Sequence, residues 1–145
     1  MEKYEVAIIG GGFSGLVAAI VLSERFKGES VAVFERNDRV GKKILATGNG
    51  RGNISNSDLT AEHYHSAEGK TNAMNVIEKY GYKSIIGFFC DLGIPVIREG
   101  DRIYPSSLQA SSVLDMMRVK LAFLKTEIKT DSECFGIKQT SGGFI

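Results

Sequence analysis

The chain has 145 residues, the size of one domain, and its 43% apolar content is ordinary for a globular protein. Eighteen basic and 17 acidic residues leave a formal charge of +1, which gives no electrostatic case for nucleic acid or for an acidic membrane surface. Two cysteines, Cys90 and Cys134, stand far apart and in no C-x-x-C pattern, so reduced thiols in a cytoplasmic protein are the expectation.

The first element is a strand over residues 4–9, carried by the apolar run Val6-Ala7-Ile8-Ile9. Gly10-Gly11-Gly12-Phe13-Ser14-Gly15 follows and fits G-x-G-x-x-G. In such a motif Gly10 turns the chain, Gly12 lets the backbone approach a pyrophosphate, and Gly15 lets the next helix pack close to the sheet. That helix is predicted over 13–27, with Leu16, Val17, Ile20 and Val21 apolar and Gly28 as its stop. Its N-terminus offers N–H groups and a partial positive charge to phosphates. Phe13 and Ser14 belong to this turn. The stretch from Val6 to Leu22 is not read as a membrane span, because Glu2 and Glu5 oppose a positive leader and three adjacent glycines interrupt it.

A second strand over 30–35 ends at Glu35, twenty residues after Gly15. A carboxylate there can accept hydrogen bonds from the hydroxyls of an adenosine ribose and would repel a ribose phosphate; the neighbouring Arg36 softens that repulsion. Residues 36–58 then break the pattern of an NAD-binding unit. They carry glycines at 41, 48, 50 and 52 and asparagines at 49, 53 and 56, with no helical apolar period. Lys42, Lys43 and Arg51 add positive charge, and a glycine-rich backbone with cations suits a ligand with two phosphates and a flat ring. Lys42, Lys43, Thr47, Gly48, Gly50, Arg51, Gly52 and Asn53 are therefore candidate cofactor contacts, and the second loop favours FAD over NAD.

Residues 60–71 read as a polar connection containing His63 and His65. A helix is expected from a cap at Thr71 or Asn72 to about Tyr80, and another from about Ser84 to a stop at Gly93 and Pro95. Two short strands, 94–97 and 102–104, flank Glu99-Gly100-Asp101. Ser112-x-x-Asp115 resembles a capping box for a helix running to about Leu124. Residues 127–130 are the expected third parallel strand, beside the first or the second. Cys134–Gln139 reads as a further strand, and Phe135–Gln139 forms a hairpin with Gly142–Ile145.

The chain resembles the bacterial FAD-dependent oxidoreductases of the aminoacetone-oxidase-like, BaiN-like flavoprotein family. The resemblance is carried by VAIIGGGFSGLVAA at 6–19, GKKILATGNGRGNISN at 41–56, IIGFFCDLGIPV at 85–96 and DRIYPSSLQASSVLDMM at 101–117. It implies a three-layer α/β Rossmann-like FAD-binding domain over residues 1–145, ending before a substrate domain. It also implies that Glu133 or Cys134 lies near the adenine edge. The family usually has a cysteine where this chain has Gly52.

Catalytic residues are not assigned by the sequence. Tyr104 is either a donor at the ligand edge or a tyrosine buried in a small sheet. His63-x-His65 lacks further ligands at metal spacing and reads as an exposed loop. The open functional alternatives are a redox flavoprotein with a small-molecule substrate and an NAD(P)H donor, a truncated non-catalytic nucleotide-binding domain prone to self-association, and an NAD-binding module.

Overall fold

A computed structural model describes residues 2–64 and 71–145, the side chains of Thr71 and Asn72 excepted. The chain runs β1 (Val6–Ile9), α1 (Phe13–Arg25), β2 (Val31–Phe34), β3 (Ser55–Asn56), α2 (Thr71–Lys79), α3 (Tyr82–Asp91), β4 (Val96–Glu99), β5 (Arg102–Pro105), α4 (Ala110–Phe123), β6 (Glu127–Lys129), β7 (Gln139–Thr140) and β8 (Gly143–Phe144). It divides into two compact units, residues 1–44 with 117–145, and residues 45–116.

The first unit is built on a parallel sheet of order β1-β2-β6. Val6 lies opposite Val31 and Ile9 opposite Phe34, while Val33 lies opposite Ile128. The third parallel strand therefore stands beside the second. Central β2 is a continuous apolar run because it is covered: Val31, Ala32 and Val33 are fully buried. Helix α1 buries Leu16, Ala19 and Ile20, the helical spacing of one face. Leu16 and Ile20 each contribute about 1.5–3 kcal/mol on full burial. Thr126 donates a buried 2.7 Å hydrogen bond to the Ser23 hydroxyl of α1, and Lys120 of α4 pairs with Glu24 at 2.7 Å. These contacts hold α1 beside the chain that enters β6.

The second unit holds an antiparallel sheet of order β3-β5-β4. Helix α3 packs on β3 and β4. Phe89, Ile94, Ile103, Tyr104, Val113 and Leu114 form its buried core.

Several expectations are corrected. Strand β3 is a two-residue polar segment with no apolar pattern, fixed by pairing Ser55 and Asn56 with Ile103 and Arg102. Helix α3 begins two residues before Ser84, and α4 begins at Ala110, so Ser112 lies inside the helix. Its hydroxyl donates back to the Gln109 carbonyl at 2.8 Å instead of capping a helix start. The terminal hairpin pairs Gln139–Thr140 with Gly143–Phe144 and ends in reciprocal backbone hydrogen bonds between Lys138 and Ile145, so the strand expected from Cys134 is short, and residues 133–137 are not part of it. The Thr71 or Asn72 cap and His65 fall outside the described residues or side chains.

Gly15 is where helix and strand come closest: a Cβ there would stand 2.0 Å from the Gly10 carbonyl oxygen. Gly15→Ala is expected to cost about 3 kcal/mol or more, because the obstacle is backbone and a core normally resists even one added methylene. Urea denaturation followed by circular dichroism checks this.

Candidate functional site

In the first unit the chain leaves β1 at Gly10, whose N–H donates to the Phe34 carbonyl at 2.8 Å and whose φ of +100° makes the turn. Gly12 is the N-cap of α1. It supplies no side-chain cap, and no acidic residue occupies the first turn. The N-terminal dipole of α1 is thus left without an anionic partner from its own first turn. A Cβ built on Gly10 or Gly12 meets nothing within 4 Å, so nothing in the described protein demands that Gly12 be glycine. The space a side chain would fill is space a phosphate can use. Phe13 and Ser14 stand exposed beside it, and Gly15 serves packing as expected.

Glu35 is 92% buried. Its Oε2 accepts from the Gly11 N–H at 2.8 Å, and its Oε1 accepts from the Asn37 N–H at 2.9 Å and from the Asn37 side-chain amide. The Asn37 backbone donor is the main reason its carboxyl lies below the ordinary range. Burial opposes this, and the Gly11 donor and the charge of Arg36 add to it. Gly11 is held from its other side too, since its carbonyl accepts from the Gly41 N–H at 2.8 Å. A Cβ on Gly11 would stand 2.4 Å from the Val40 side chain. Arg118 of α4 donates to the Val40 carbonyl at 3.3 Å. Glu35 therefore organises the turn, and its Oε2, with one donor, retains acceptor capacity.

The remaining predicted residues of this unit differ in state. Arg36 and Lys43 are exposed, whereas Lys42 pairs with Asp38 at 2.5 Å. Backbone bonds from Asp131 to the Asn37 carbonyl and from Ser132 to the Glu35 carbonyl, 3.0 and 2.9 Å, bring the segment after β6 alongside Glu35. Cys134 follows two residues later as an exposed thiol, 3.6 Å from the Gly136 carbonyl.

The second unit brings Gly48, Asn49, Arg51, Asn53, Arg102 and Tyr104 together around a pocket of about 310 Å³. Gly48, Asn49, Gly50 and Gly52 all have left-handed backbone, with φ between 55° and 83°, which is how this segment coils without becoming a helix. Arg51 donates to Glu99 at 2.8 Å and to the Tyr104 hydroxyl at 3.0 Å. Tyr104 is buried in the small sheet, the second of its two sequence readings, and it also lines the pocket. His63 pairs with Asp58 at 2.8 Å.

A model of the HI0933-like protein Rossmann domain matches residues 4–145. The chain belongs to this family. It is 40% identical over 140 residues to the 3-dehydro-bile acid delta(4,6)-reductase of Clostridium scindens, covering 97% of this chain and 34% of that protein. It is 29% identical over 168 residues to the ribosomal RNA dihydrouridine synthase of Haemophilus influenzae, covering 99% of this chain and 41% of that protein. The chain thus spans about a third to two-fifths of the length of these relatives. Among solved structures, the crystal structure of Thermovibrio ammonificans THI4 is similar with a TM-score of 0.60 and 18% identity, covering 98% of this chain and 45% of that chain. That likeness is one of fold, and it agrees with the parallel sheet of the first unit.

In this HI0933-like chain, Gly52 has a physical reason to be glycine. Its φ is +76°, and a Cβ there would stand 3.0 Å from the Ala110 Cα. Sequence reasoning missed Gly11, Asn37 and Arg118, which hold the Glu35 loop. The one local signal was an asparagine two residues beyond the acid, a spacing at which a short polar side chain reaches back.

The Glu35 carboxyl titrates lower in the folded chain than in the unfolded one. Its charge therefore stabilises the fold above the unfolded value, about 4.3, and this stabilisation is lost as pH falls through the folded value. Glu35→Gln is expected to be less stable than the parent at neutral pH, by an amount that shrinks as pH falls below about 4. Urea midpoints measured across that range check it.

Proposed function

We propose that this chain is the cofactor-binding part of an FAD-dependent oxidoreductase, with the first unit holding the ADP portion of the cofactor. The observation that carries the reading is the start of α1, where Gly10 and Gly12 face open space and no side-chain cap or first-turn acid answers the helix dipole. The N–H groups of this turn would hold the pyrophosphate, and Glu35, fixed by Gly11 and Asn37, would accept from the ribose. Thr47, Gly48, Gly50, Arg51, Gly52 and Asn53 take a flavin-binding role from their sequence motif. When bound, the flavin supplies the electron chemistry, and the chain's own residues bind and orient it.

The similarity to a protein named as a bile-acid reductase supports reduction of a small molecule; a reduced nicotinamide is the electron donor we propose for it. Both cysteines are free exposed thiols, which supports a cytoplasmic setting. No helix of the described residues is long and apolar enough to cross a membrane.

Fluorescence titration with FAD and with NADH tests the cofactor reading. FAD is expected to bind at least about tenfold more tightly than NADH, a difference of ~1.4 kcal/mol. Gly12→Ala is expected to weaken FAD by a similar factor while changing fold stability by less than about 1 kcal/mol. Tight NADH binding without FAD binding would make the chain an NAD module instead.

A further inference from the structure

The pocket of the second unit includes Arg102 and Tyr104, which the cofactor reading does not use. Strands β4 and β5 are antiparallel, and their register sets Glu99 directly opposite Arg102. The ordinary outcome is a cross-strand ion pair. Here the Glu99 carboxylate is taken by Arg51 at 2.8 Å instead. The Arg102 side chain is left with no hydrogen bond or ion pair among the described residues, and it lines the pocket.

Arg51 also fixes Tyr104. One guanidinium nitrogen donates to the phenol oxygen at 3.0 Å, and the guanidinium carbon lies 4.4 Å from the ring centroid. With that oxygen accepting from Arg51, the phenol O–H proton is left to be donated. The strand alternation puts Arg102 and Tyr104 on the same face of β5. Asn49 and Asn53 complete a lining that contains two arginines and no carboxylate among the described residues. So many donors without an acceptor-only group of the protein's own call for a ligand that supplies one.

We propose that this pocket recognises an oxyanion-bearing ligand, with Arg102 as its anchor and the Tyr104 hydroxyl as a second donor. The planar guanidinium matches the two oxygens of a carboxylate or phosphate in a way an ammonium does not. Glu99 and Arg51 are positioning residues: they aim Tyr104 and keep Arg102 from being neutralised by its own sheet. The site shares Gly48, Arg51 and Asn53 with the segment given a flavin-binding role, but its anchor Arg102 and donor Tyr104 are not used by that reading, and it can be measured without flavin.

Isothermal titration of the full chain with sodium benzoate and with sodium pyrophosphate, in the absence of flavin, tests it. At least one probe is expected to bind. Arg102→Met is expected to weaken that binding about tenfold or more, and Arg102→Lys by a smaller factor. Tyr104→Phe, which keeps the ring and its packing, should weaken it about fivefold. Thermal melts confirm that each variant is folded. FAD affinity of Arg102→Met then separates two sources of the anion. Unchanged FAD affinity supports a separate anionic ligand, whereas a parallel loss of FAD affinity would make Arg102 part of the cofactor site and overturn the proposal. Failure of the chain to bind FAD leaves the probe measurement standing. The proposal is overturned if neither probe binds, or if folded Arg102→Met and Tyr104→Phe bind both probes as the parent does.

Discussion

A carboxylate buried at the end of a central strand must find donors, because desolvating a charge without them is costly. Glu35 meets that requirement with the backbone N–H of Gly11 and both donors of Asn37. The first bond ties the acid to the middle of the glycine turn. The second curls the chain after β2 back so that Val40 packs on Gly11 and Gly41 donates to its carbonyl. Arg118 and the backbone of residues 131–132 brace the same loop. The open start of α1 is thus held in place by a charge one strand away. The acid that the sequence suggests as a ribose ligand is also the support of the phosphate turn.

The second unit solves a related problem differently. Its charges are partly exposed, so its ion pairs contribute little stability individually. What they do is allocate. Glu99 pairs with Arg51 and not with its strand neighbour, Arg51 steadies a tyrosine that is 1% exposed, and Arg102 keeps its fork of donors. Left-handed backbone at Gly48, Asn49, Gly50 and Gly52 makes this possible by coiling the chain around the pocket, and Gly52 lets it lie against the first residue of α4.

The parallel sheet, α1, the glycine turn and the acid at its edge were legible because each has a local signature: an apolar run, a helical period, a spacing of glycines. The pairing of residues 127–129 with β2 was legible as a strand but not as a position, since Ile128 says nothing about its neighbour. Strand β3 was invisible because Ser55 and Asn56 have no apolar alternation and are strand only through the backbone of β5. Ser112 misled for a physical reason: a serine three residues before an acid fits a cap equally well when it lies in the first turn and its hydroxyl bonds back to Gln109. The state of Arg102 was hidden entirely. It depends on which of two arginines captures Glu99, and those arginines, 51 residues apart in sequence, meet only in the fold.

The most direct test of the cofactor-binding claim is a two-dimensional amide NMR titration of the isotopically labelled chain with FAD. The expected result is that the amides of Gly12, Phe13, Ser14 and Gly15 shift most within the first unit, while Gly11 keeps the signature of an amide already donated to Glu35. FAD binding that leaves the start of α1 unperturbed, or no binding at all, would contradict it.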